Sequence, residues 1–70
     1  MRDESPELRL LFHRLNNQLG IILAHAELLE AKAPNEMHRA RAAQVVSSTL
    51  EAMGTAKEIR RLAGTSTAPQ

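Results

Sequence analysis

The stretch that decides the fold runs from Leu8 to Leu29 and reads LRLLFHRLNNQLGIILAHAELL. Apolar residues recur along it at alternating spacings of four and three, which is the heptad-like seam of a helix that packs against other helices. The seam comprises Leu8, Phe12, Leu15, Leu19, Ile22, Ala26 and Leu29. Directly before it, Ser5 and Pro6 supply an N-cap and a favoured first helical residue. The sequence therefore predicts a packed helix that begins at Pro6.

A second helix is predicted from about Glu36 to Leu62. Pro34 cannot continue the first helix, and Asn35 can cap a new one. Gly64 is placed to end the second helix. The apolar pattern is weaker here than in the first helix, but one face carries Ala42, Val46, Leu50 and Met53. Further round the helix lie Ala52, Ala56, Ile59 and Ala63.

These patterns predict an all-α fold, an antiparallel two-helix hairpin that pairs with a second copy into a homodimeric four-helix bundle. A chain of 70 residues hides only about 60% of its unfolded surface and, without cysteine, gains nothing from disulfides, so oligomerisation is the expected source of stability. We expect residues 1–5 to form a lead, 6–64 the hairpin domain and 65–70 a disordered tail. The predicted dimer core consists of Leu8, Phe12, Leu15, Leu19, Ile22, Ala26, Leu29, Val46, Leu50 and Met53.

Composition excludes several classes of function. The net charge is only +1 and Phe12 is the single aromatic residue, so neither a phosphate-binding stripe nor base-stacking platforms for nucleic acid are available. No apolar run approaches the roughly 20 residues of a membrane span, and the N-terminus lacks the apolar core of a signal peptide. His25 and His38 have no partners at metal-ligand spacing. We expect a soluble, cytoplasmic protein that binds no metal, cofactor, nucleic acid or membrane.

Polar and small residues gather on the side of the first helix opposite the seam. At about 100° per residue, His13 and Asn17 point away from Leu15 and lie one turn apart on a solvent face. Gly20 and Ala24 continue this face. Because Gly in a helix interior costs up to about 1 kcal/mol relative to Ala, Gly20 requires a reason other than helix formation. A smooth strip on which another protein lies close to the backbone is such a reason.

The run HRLNNQLGIILAHAELL, from His13 to Leu29, resembles the first helix of the dimerisation and histidine-phosphotransfer domain of two-component sensor histidine kinases. The stretch AKEIRRLAG in the second helix is similar to the closing part of that domain. The resemblance implies a dimeric four-helix bundle in which His13 is the phosphoacceptor and Asn17 orients a water that hydrolyses a partner's aspartyl phosphate. A response-regulator receiver domain is the implied partner, docking on Asn16, Gly20 and Ala24.

Arg14 departs from the family pattern, which places Asp or Glu after the histidine to accept a proton from its ring. A guanidinium has no acceptor and disfavours an imidazolium, so autophosphorylation from ATP is not expected. The chain also lacks any nucleotide-binding motif, so it is not predicted to be an autonomous kinase, although a kinase catalytic domain acting in trans remains a possible partner. Arg14 can instead contact an incoming phosphoryl group or the acidic pocket of a receiver.

Two functions therefore remain open at the level of sequence. One is a module for histidine phosphotransfer or receiver dephosphorylation through His13 and Asn17. The other is a catalytically silent dimerisation or docking scaffold derived from a histidine kinase. The chain could also be an excised piece of a complete kinase, although a start at Met1 favours a stand-alone protein.

Overall fold

The computed structural model describes residues 5–65 and consists of two helices packed against each other. Helix α1 spans Pro6–Ala31 and helix α2 spans Glu36–Thr65. A short turn joins them, so they run antiparallel. The molecule measures 52 × 20 × 11 Å, and its smallest dimension equals about one helix diameter. The predicted all-helical hairpin is confirmed, and it forms a single layer.

Both helices begin at the residues that the sequence predicts. Ser5 is the N-cap of α1, and its hydroxyl accepts a 3.0 Å hydrogen bond from the backbone N–H of Leu8. Asn35 does the same for α2, where its side-chain oxygen accepts a 2.9 Å bond from the N–H of His38. The His38 ring also lies 2.9 Å from that oxygen through Nδ1. Each cap satisfies an amide that the helix itself leaves without a partner.

The helix ends agree with prediction in α1 and differ in α2. Helix α1 stops at Ala31, ahead of Pro34, as expected. Helix α2 continues beyond Leu62 and through Gly64 to Thr65, so the predicted end of the helix at Gly64 is wrong. Glycine permits a helix end without imposing one, and helix ends are the least predictable part of an element. The remainder of the predicted lead and tail, residues 1–4 and 66–70, lies outside the described residues.

The buried core between the helices is narrow. Of the described residues, five are buried, and none of the large side chains is completely enclosed. Helix α1 contributes Phe12 and Ala26, and α2 contributes Ala42, Thr49 and Ala56. The hydroxyl of Thr49 donates a 2.7 Å bond to the carbonyl of Val45, so its burial leaves no polar hydrogen unpaired. The packing between the two helices therefore encloses few large apolar side chains.

The predicted dimer core divides into two parts in the hairpin. Phe12 and Ala26 are buried, and four more of its members are half-buried between the helices: Leu8, Leu19, Val46 and Met53. The others remain exposed, namely Leu15, Ile22, Leu29 and Leu50. Leu50 is exposed in the hairpin, and its place in the dimer core stays a prediction. The contact with α1 is made by the heptad line through Ala42, Thr49 and Ala56, and Leu50 lies about 100° round the helix from this line.

An exposed apolar face runs along one side of the hairpin. We define it by Leu15, Ile22 and Leu29 on α1 and by Val45, Ala52 and Ile59 on α2; each set repeats every seven residues. Three shallow depressions follow one another along this face. The first is lined by Leu15 and Ile59, the second by Leu19 and Ala52, and the third by Leu29 and Val45, among other residues. Within residues 5–65, neither helix is both long and apolar enough to cross a bilayer.

Candidate functional site

His13 occupies an exposed position in the N-terminal half of α1, and Asn17 is exposed one turn further along. A separation of four residues places both side chains on the same side of the helix. From helical geometry, His13 points about 160° away from Leu15, so it lies on the far side of α1 from the apolar face. A partner covering the apolar face would therefore leave His13 and Asn17 accessible.

A shallow cavity of about 340 Å³ adjoins His13. Pro6, Arg9, Leu10 and His13 line it from α1, and Arg60 lines it from α2. Arg9 precedes His13 by one helical turn, so both project from the same side of α1. Arg60 joins them because the antiparallel packing sets the end of α2 beside the beginning of α1. Two guanidinium groups and an imidazole thus share one surface cavity.

Arg14 is exposed but is not among the residues that line this cavity. It follows His13 directly, and consecutive residues point about 100° apart on a helix. The two arginines that accompany His13 are Arg9 and Arg60, which the sequence analysis did not select. The spacing of Arg9 from His13 was available in the sequence. The position of Arg60 depended on the pairing of the two helices, which sequence spacing does not reveal.

The residues predicted to receive a partner differ in exposure. Asn16 is half-buried at the edge of the contact with α2, whereas Ala24 is exposed. Gly20 is half-buried, yet a Cβ atom added to it would meet nothing within 4 Å. Packing inside the hairpin therefore does not require glycine at this position. The space over Gly20 is open, and the smooth partner-binding strip next to His13 stays a prediction.

Other charged groups lie outside the His13 cavity. Near the end of α2, Arg61 hydrogen-bonds the carboxylate of Glu58 three residues before it. That hydrogen bond, together with the positive charge of Arg61, holds the pKa of Glu58 below its ordinary value. His25 is exposed on α1, and His38 takes part in the α2 cap. Across residues 5–65, no group of three His, Asp or Glu side chains is placed to hold a metal ion.

Comparisons with protein-family models, with curated proteins and with solved structures found no match for this chain. The likeness to histidine kinases therefore rests on the residues from His13 to Leu29 and on the weaker stretch in α2.

Proposed function

We propose that the protein is a two-component signalling module that exchanges a phosphoryl group with, or dephosphorylates, a response-regulator receiver domain at His13 and Asn17. The observation that carries this proposal is the placement of His13 and Asn17 together on an exposed side of α1, away from the apolar face. A docked receiver and a packed dimer could then occupy different sides of the same helix. The reactions that we assign to these two residues, phosphoryl transfer and receiver dephosphorylation, come from the resemblance of residues His13 to Leu29 to the first helix of histidine kinase phosphotransfer domains.

The proposal that the protein is a dimer rests on two apolar sides of each helix. One side packs against the other helix of the hairpin, and the second side is exposed. On α1, the stripe of Leu15, Ile22 and Leu29 lies about 60° round the helix from the buried line through Phe12 and Ala26. On α2, the stripe of Val45, Ala52 and Ile59 lies likewise about 60° from the buried line through Ala42, Thr49 and Ala56. In a four-helix bundle every helix packs against two neighbours, so each helix needs two such apolar directions. A second copy of the hairpin on the apolar face would therefore complete a four-helix bundle.

In the phosphotransfer step, a ring nitrogen of His13 attacks the phosphorus of the receiver's aspartyl phosphate. The nitrogen lone pair forms the N–P bond, the P–O bond to the aspartate breaks, and the bonding electrons leave with its carboxylate. The proton on the second ring nitrogen either stays or passes to water. In the competing hydrolysis, the Asn17 amide orients a water for attack on the same phosphorus, which yields inorganic phosphate and the free carboxylate.

Because of Arg14, we propose that the protein does not phosphorylate itself from ATP. Where the histidine kinases that this helix resembles carry an acid that accepts the ring proton, Arg14 offers only donors. We propose that phosphate reaches His13 from an acyl phosphate or from a kinase catalytic domain acting in trans. Arg14 would contact the acidic surface of the docked receiver.

Mixing the protein with a panel of phosphorylated receiver domains tests the proposal. We expect at least one receiver to lose phosphate faster in its presence, to transfer phosphate to His13, or to do both. Receivers alone provide the background rate. If no receiver loses or transfers phosphate, and none perturbs the NMR signals around His13, the signalling site is excluded.

A silent scaffold is the second candidate function, and Arg14 in place of the expected acid favours it. In that case the apolar face carries the whole role, and His13 is an inherited surface residue. Dimerisation would persist in the receiver experiment while no phosphate chemistry appeared, so the same assay separates the two candidates.

A further inference from the structure

We infer that Arg9 and Arg60 form with His13 a composite binding site for a phosphoryl-type oxyanion, assembled from both helices of one hairpin. As the site that holds the transferring group, it rests on the proposed function. It goes beyond that function by assigning the cationic contacts to Arg9 and Arg60, since Arg14 does not line the cavity beside His13.

The geometry of the cavity carries the inference. Arg9 and His13 are one turn apart on α1, and Arg60 lines the same cavity from α2. The cavity is an open depression of about 340 Å³, which leaves room for a tetrahedral oxyanion with some of its hydration. His13 lines this space together with both arginines, so an anion held there would lie beside the histidine.

The chemistry of the lining selects the ligand class. A guanidinium presents paired N–H donors in a planar fork that matches two oxygens of a phosphate, and it stays charged at every physiological pH. Two such groups on different sides of one cavity can contact different oxygens of the same phosphoryl group. In the transfer step they would stabilise the charge on the phosphoryl oxygens as the bond to the aspartate breaks and the bond to His13 forms.

A site built from two helices has a structural consequence. Arg60 reaches the cavity only while the end of α2 packs beside the beginning of α1. A change that separates these ends would remove one cationic contact and leave His13 and Arg9 in place. Phosphoryl binding is therefore expected to depend on closure of the hairpin near Pro6 as well as on the residues of α1.

The test titrates the full chain with inorganic phosphate, against chloride at matched ionic strength, and follows backbone and arginine Nε–H signals by NMR. We expect phosphate to shift the signals of Arg9, His13 and Arg60 selectively. Arg9→Gln and Arg60→Gln should each weaken phosphate binding about two- to fivefold, the range of an exposed charge pair. Arg61→Gln is the matched control, because Arg61 adjoins Arg60 in sequence but does not line the cavity. It should leave the affinity unchanged.

A second measurement separates this inference from the proposed function. The rate of phosphohistidine formation from a phosphorylated receiver should fall in Arg9→Gln and Arg60→Gln but not in Arg61→Gln. Selective phosphate binding without any transfer to His13 would uphold the oxyanion site and reject phosphotransfer. Transfer at an unchanged rate in both variants would overturn the site and leave phosphotransfer standing. Absence of selective phosphate shifts in the unmodified protein would also overturn the site.

Discussion

Leu15 of α1 and Ile59 of α2 line the same shallow depression, and both side chains are exposed, at 38% and 53% of their surface. The packing of the helices brings these two apolar residues together but leaves them exposed to solvent. A partner that packed on this surface would bury additional apolar area. The same arrangement recurs along the apolar face, where Leu29 and Val45 line one depression at its other end. An apolar face of this extent on a hairpin with so small a core is the physical basis for the dimer predicted below.

Leu15→Asp should dissociate and unfold the protein. The substitution would place an unpaired carboxylate in the proposed interface, where it would lose its hydration without gaining a partner. Light scattering reports the loss of the dimer, and circular dichroism reports the loss of helix. Ile21→Asp is the control, because Ile21 is also exposed, at 58% of its surface, and points about 100° round the helix from Ile22 on the apolar face. A folded monomer in the unmodified protein at micromolar concentration would refute the dimer.

Gly20→Ala should stabilise the protein by up to about 1 kcal/mol per chain. Alanine loses less backbone entropy than glycine when a helix forms, and the added methyl group meets no neighbouring atom within 4 Å. Gly54→Ala tests the same physics on α2, where the surroundings are equally open. Denaturant unfolding at fixed protein concentration gives both values. Destabilisation by Gly20→Ala would mean that a second chain packs closely against this position.

Asn35→Ala should destabilise the protein by about 1 kcal/mol. The substitution removes the oxygen that accepts the N–H of His38 at the start of α2, so that amide loses its partner. Asn35→Asp keeps an acceptor at the same place and should retain most of the stability. The comparison of the two variants in denaturant unfolding separates loss of the cap from general sensitivity of the turn.

The sequence predicted the elements of the fold because their determinants are local. Ser5, Pro6 and Asn35 act within one turn of the helices that they start, so their roles could be predicted before the structure was known. The face of α2 that packs against α1 was harder to predict from the sequence. Its buried line passes through Thr49, a polar residue that a search for apolar positions does not select. Thr49 can be buried since its hydroxyl bonds to the carbonyl of Val45.

Some residues of the candidate site could be predicted from the sequence, and others could not. His13, Asn17 and Gly20 could be selected from one helix, because their common direction follows from the helical period alone. Arg60 could not, because its place beside His13 depends on the register between two helices. Arg14 was chosen from the sequence because it directly follows His13. On the helix it points about 100° away from His13, and it does not line the cavity beside His13.

His13→Gln and Asn17→Ala should separate two reactions, the transfer of the phosphoryl group to His13 and the hydrolysis of the receiver's aspartyl phosphate. His13→Gln removes the nucleophilic ring, so phosphohistidine, recognised by its acid lability, should disappear. Neither substitution should alter the dimer, because both side chains are exposed on the side of α1 opposite the apolar face. Asn17→Ala should slow the release of inorganic phosphate from the receiver, since no amide then orients the attacking water, while phosphohistidine still forms. His25→Gln is the control for His13, because it replaces another exposed histidine of the same helix. Following both phosphate species over time in each variant gives the two rates independently. Phosphohistidine that still forms in His13→Gln would show that His13 is not the phosphoacceptor, and unchanged hydrolysis in Asn17→Ala would remove Asn17 from the reaction.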